Sequence, residues 1–174
     1  MKQILVYSDS LTWGIIPDTR KRLPFEKRWP GGLAQVIEMH SPLKLVVLML
    51  GSNDFQCTHD NNAWLSAQGM AKLIQIIRQA PIEPGMPMPE IMIVAPPPII
   101  EPKGTIARKF EGSEKRCVGF SAELESVAKA HSVHYFNAGS VTEASLIDGI
   151  HLDENQHLLL GEAIANAVSR SMSF

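Results

Sequence analysis

The sequence predicts an α/β protein built on an open parallel sheet, a class that binds its ligands at the carboxyl ends of the strands. Three observations predict it. Short apolar runs stop at small polar residues, as Ile4-Leu5-Val6-Tyr7 does before Ser8-Asp9-Ser10 and Leu45-Val46-Val47-Leu48-Met49-Leu50 does before Gly51-Ser52-Asn53-Asp54. Longer stretches of helical periodicity lie between such runs. The runs themselves are almost continuously apolar, as strands covered on both faces are.

The first strand is Gln3 to Tyr7, feeding a turn that holds Ser10 and runs on through Leu11-Thr12-Trp13-Gly14. Between Ile15 and Gly32 the chain is rich in Pro, Arg and Lys and reads as a loop, with Arg20, Lys21, Arg22, Lys27 and Arg28 solvated. The second visible strand is Leu45 to Leu50. Asp60 or Asn61 caps a helix from Ala63 to Gln79, whose Leu65, Met70, Leu73, Ile74 and Ile77 form an apolar face. Pro81 to Pro89 is a loop by composition, Glu90 to Ala95 a strand stopped by Pro96-Pro97-Pro98, and the loop through Lys109 a candidate pocket wall. Ser113 to His131 reads as one helix with Val118, Leu124, Val127 and Ala128 toward the sheet, and Val133 to Phe136 as the last strand. Asp153 with Gln156 forms a capping box that opens a final helix, in which Leu158, Leu159, Ile164, Ala165 and Val168 seal the sheet.

Length and charge bound the rest. A chain of 174 residues fits one domain with a real core. A formal charge of -2 gives no electrostatic case for nucleic acid or an anionic membrane. The apolar run near Met1 is too short for a secretory signal and no run approaches a membrane span, so a cytoplasmic location is expected. Cys57 and Cys117 lack metal-site spacing and read as two reduced thiols. His131 and His134 have no further ligand to complete a metal site, and His40, His59 and His157 read as solvent-facing.

Chemistry concentrates at three places. Asp148-Gly149-Ile150-His151 sets a carboxylate within reach of the near ring nitrogen of an imidazole, so that the Asp fixes the tautomer and the far nitrogen takes a proton from a hydroxyl. Ser10, at the end of the first strand, is the hydroxyl such a base would serve, and turn chemistry is its alternative reading. Asn53, at the end of the second, carries an amide able to donate to a developing oxyanion. A receiver-like domain of the same sheet order would need clustered carboxylates and an opposing lysine, which Asp9 and Asp54 do not supply.

These pieces, in this order, resemble the SGNH, or GDSL, serine esterases. Ser8-Asp9-Ser10-Leu11 stands for the Gly-Asp-Ser-Leu block, Gly51-Ser52-Asn53-Asp54 for Gly-x-Asn-Asp, and Asp148-x-x-His151 for the closing block. Arg28-Trp29-Pro30-Gly31, Ala95-Pro96-Pro97-Pro98, Phe110-Glu111-Gly112 and Asn137-Ala138-Gly139-Ser140-Val141 resemble the aryl esterase and acyltransferase branch. The resemblance implies a three-layer α/β/α sandwich with a flavodoxin-like parallel sheet. It also implies a triad of Ser10, Asp148 and His151, an oxyanion site at the Ser10 N–H and Asn53, and no cofactor or metal. The partner it implies is a small ester, and it suggests a homo-oligomer. Asp9, Leu11, Trp13, Phe55, Phe110 and Ile150 are candidate pocket walls by proximity to the matched blocks, or else core.

Two departures stand out. Ser8 replaces the family's first glycine and is expected in extended geometry. At Gly31-Gly32 the family's second strand and its glycine loop, roughly 40 residues on the scale of a βαβ crossover, have no counterpart. Either the polypeptide lacks them or the sequence passes over a mobile segment; the second is favoured, because deletion removes an edge strand and bares apolar surface.

Overall fold

The computed structural model describes residues 3–8, 16–17, 19, 21, 23–24, 43–78 and 87–172. Four strands, β1 (Gln3–Ser8), β2 (Leu43–Met49), β3 (Glu90–Ala95) and β4 (His134–Asn137), form one sheet in the order β1-β2-β3-β4, all neighbours parallel. A flavodoxin-like order of 2-1-3-4-5 leaves this arrangement when its second strand is removed. The seam at Gly31-Gly32 lies outside the described residues.

Alternation along the strands builds three layers. Val46, Leu48, Ile91, Ile93 and Ala95 face α1 (Ala63–Arg78) and α3 (Phe120–Ala130), burying Ala67, Met70, Ile74, Leu124 and Val127. Leu45, Val47, Met49, Met92 and Val94 face α4 (Glu154–Ser171), burying Leu160, Ile164 and Val168. Both faces are covered, which is why these strands read as unbroken apolar runs. Each fully buried large aliphatic side chain contributes about 1.5–3 kcal/mol.

Several boundaries differ from expectation. The cap of α1 is Asn62, whose Oδ1 accepts from Leu65 N–H at 2.9 Å, one residue beyond the expected Asn61. Leu65 is exposed, and the buried face of α1 runs instead through Ala63, Ala67, Met70 and Ile74. The stretch Ser113 to His131 is two helices, α2 (Ser113–Arg116) and α3. Gly119 at φ 84° turns the chain between them, aiming Phe120 into the core against Phe55 in an edge-on contact of 5.1 Å and leaving Val118 72% exposed.

In α4 the capping box forms as expected, Asp153 N–H donating to Gln156 Oε1 at 2.7 Å. The buried stripe is His157, Leu160, Gly161, Ile164, Ala167 and Val168, a 3.6-residue repeat counted from that cap. Leu158 and Leu159 therefore point outward, and His157 is fully buried rather than solvent-facing. Ser8 is the extended last residue of β1, as anticipated. Cys57 and Cys117 are both free thiols.

Candidate active site

The loop before α4 holds the acid-base pair that the sequence predicts. Asp148 Oδ2 lies 2.6 Å from His151 Nδ1, with both residues buried. The other carboxylate oxygen, Oδ1, accepts the backbone N–H groups of Ile150 and His151, each at 2.9 Å. Burial pushes the Asp148 carboxyl up, but the His151 ring, the two N–H donors and the charge of His151 together outweigh it and hold the group below its ordinary range. Asp148 is thus a fixed acceptor, and His151 is held with Nδ1 toward it and Nε2 available as the far nitrogen of a base.

Gly149 makes the tight turn between them possible. Its φ is 80°, and a Cβ there would lie 2.4 Å from the Glu101 carbonyl oxygen. Ile100 N–H donates to Gly149 O at 3.1 Å and Lys103 N–H to Asp148 O at 3.0 Å, strapping the pair to the loop that leaves β3. On the other side Ser145 N–H donates to His151 O at 2.7 Å and Gly149 N–H to Ser145 O at 2.8 Å. Sequence reasoning missed Ser145, because neither its main-chain bonds nor its hydroxyl bond to Asp153 Oδ1 leaves a pattern in residue spacing.

Asn53 sits in a 3₁₀ turn (Ser52–Phe55) entered through Gly51 at φ 116°, where a Cβ would meet the Phe120 ring at 2.3 Å. Asn53 Oδ1 accepts from Gln56 Nε2 at 2.7 Å, which sets the direction of the opposite, donating end of the amide. Asp54 is held by the buried Ser66 hydroxyl at 2.5 Å. β1 pairs Ser8 with Met49 of β2 in parallel register, so the chain leaves both strands at the same rim of the sheet. Ser10, Asp9, Leu11 and Trp13 lie outside the described residues.

Of the remaining candidates, Phe55, Phe110 and Ile150 are 1%, 2% and 4% exposed and belong to the core beneath the site. Phe55 also borders a cavity of about 640 Å³ walled by Pro96, Pro97, Pro98 and Phe120, which touches neither Asp148 nor His151. A shallower one of about 400 Å³ is lined by Asn53, Asp54 and Ser66, and it is the smaller that meets a chemistry-bearing residue. Among the described residues no group of three His, Cys, Asp or Glu side chains could hold a metal.

The described geometry is a buried Asp-x-x-His pair before α4 and an Asn-bearing turn after β2, and the GDSL-like lipase/acylhydrolase family model matches residues 9–159. The chain belongs to that family. The native aryl esterase of M. smegmatis is similar at 29% identity and TM-score 0.88, over 99% of this chain and 100% of that one. Est24, a carbohydrate acetylesterase from Sinorhizobium meliloti, is similar at 28% identity and TM-score 0.87, over 97% and 99%. No curated protein matches. As a GDSL-like acylhydrolase the protein is a carboxylic ester hydrolase on an SGNH scaffold. No described helix is long and apolar enough to cross a membrane.

Proposed function

We propose that this acylhydrolase cleaves small aryl or alkyl esters through an acyl-enzyme on Ser10. The observation that carries the reading is the 2.6 Å contact between Asp148 and His151, out of water and braced by two backbone donors. Ser10 Oγ forms a bond to the ester carbonyl carbon as its proton passes to His151 Nε2. Collapse of the tetrahedral adduct breaks the ester C–O bond, and His151 returns the proton to the departing alcohol. Asp148 steadies the imidazolium in between. Water, or a second alcohol in acyl transfer, then releases the acyl group by the reverse proton path. The developing oxyanion is met by the Ser10 N–H and the Asn53 amide.

The aryl esterase and the carbohydrate acetylesterase are about equally similar to this chain, which supports two substrate classes on the same machinery. We rank aryl esters first, because the motifs shared with the aryl esterase branch run nearly end to end. Hydrolysis of an aryl acetate measured in competition with an acetylated sugar separates them. A phosphonate ester that inactivates the enzyme and leaves a single adduct on Ser10 supports the mechanism; inactivation with the adduct elsewhere, or full activity in Ser10→Ala, overturns it.

A further inference from the structure

Ser145 is fully buried three residues before Asp148, and every polar group it owns is used. Its N–H donates to His151 O at 2.7 Å and its carbonyl accepts from Gly149 N–H at 2.8 Å, so its backbone grips the second and the last residue of the Asp148–His151 turn. Its Oγ accepts from Ile147 N–H at 3.2 Å and donates to Asp153 Oδ1 at 2.9 Å. Asp153 is the residue that caps α4 through its reciprocal bond with Gln156. The hydroxyl therefore joins two things that must keep register, the turn holding the acid-base pair and the helix end anchored in the core below it.

We propose that Ser145 is a positioning residue for the Asp148–His151 pair, acting through its hydroxyl bridge to Asp153. The inference rests on the reading of that pair as the base of the reaction. A buried hydroxyl lost here leaves the Ile147 N–H without an acceptor and Asp153 Oδ1 without this donor. The turn is tied to Ser145 at both His151 O and Gly149 N–H, so a shift of Ser145 carries the imidazole with it. Displacement of a reacting group by about 1 Å costs roughly a hundredfold in rate.

The test compares wild type with Ser145→Ala and Ser145→Cys, the second being close in size and keeping a weak donor. For Ser145→Ala we expect a cooperative unfolding transition, kcat for a small aryl acetate lowered roughly 10- to 100-fold, and KM within about twofold of wild type. The ¹H NMR resonance of the His151 Nδ1 proton, set far downfield by its short bond to Asp148, should broaden or move upfield. Ser145→Cys should fall between the two, and if Ser145→Ala does not fold the same criteria apply to Ser145→Cys. Wild-type kcat with an unchanged resonance overturns the proposal. So does a loss of activity no larger than the loss of folded protein, or a rise in KM alone. His151→Ala is the control for the underlying reading: should it retain full activity, the base assignment fails, while the resonance still decides whether Ser145 positions the pair.

Discussion

Asp148 uses its two carboxylate oxygens differently. Oδ2 faces the His151 ring at 2.6 Å, and Oδ1 accepts the main-chain N–H groups of Ile150 and His151. An Asp148→Asn side chain can keep Oδ1 on the two N–H donors, but its NH₂ then faces Nδ1. The ring must answer with the tautomer protonated on Nε2, which cannot accept the serine proton. We expect kcat to fall on the order of 10⁴-fold with the fold intact, as carboxylate-to-amide changes do in such triads. Steady-state kinetics beside a thermal melt checks it, and a loss under tenfold contradicts the assigned role.

The same carboxylate couples stability to acid. Its pKa in the folded protein lies below the ordinary 3.8, burial being outweighed by the bonds from His151 and Ile150. A group depressed on folding contributes stability that is fully present above the unfolded value and is lost as pH falls through the folded one. Wild-type unfolding free energy should therefore decline as pH falls below about 4, and Asp148→Asn should show a shallower decline. Urea titrations at a series of acidic pH values measure both; parallel acid limbs rule the coupling out.

Gly149 has no substitute. An Ala there would hold φ 80° at about 1–2 kcal/mol, and its Cβ would press within 2.4 Å of the Glu101 carbonyl oxygen, a main-chain atom tied into the adjoining strap. We expect Gly149→Ala to destabilise by at least about 2 kcal/mol and to lower kcat roughly a hundredfold. A urea midpoint and a kcat both near wild type would show that the strap yields freely.

Much of this was legible in the residues because the signals are local. Covering on both faces turns each strand into an apolar run with a polar stop, and Asp-x-x-His can close on itself without help from distant chain. Phase was harder. Leu158 and Leu159 point outward because the cap at Asp153 sets the helix rotation, and Val118 does because Gly119 turns the chain. Ser145 was illegible for another reason: its bonds to His151 and Gly149 are main-chain bonds, and nothing in the spacing of a lone serine shows that its hydroxyl will reach Asp153. Proximity to a motif also could not tell wall from core, which is how Phe110 and Ile150 came to be candidates.

Phe55 makes that last distinction measurable. At 1% exposure and packed edge-on to Phe120, it behaves as core. Phe55→Ala should cost about 3–5 kcal/mol by denaturation, with KM for a small ester nearly unchanged at temperatures where the variant is folded. A large KM effect with little loss of stability would instead make it a substrate wall.

Asn53 is where the proposed oxyanion site can be tested from its own side. Gln56 Nε2 holds Asn53 Oδ1 at 2.7 Å, so the amide is oriented before any substrate arrives. A donor aimed in advance at a charge that develops only in the transition state lowers the barrier without tightening substrate binding. Asn53→Ala should lower kcat about 100- to 1000-fold, or ~2.7–4 kcal/mol, with KM little changed. Asn53→Asp should be worse than Ala, since it sets a negative charge where another must form. Gln56→Ala should cost less than Asn53→Ala, because it removes one bond that orients the amide and leaves the donor in place. Finding Asn53→Ala within threefold of wild type, or Asn53→Asp more active than Asn53→Ala, would take Asn53 out of the oxyanion site.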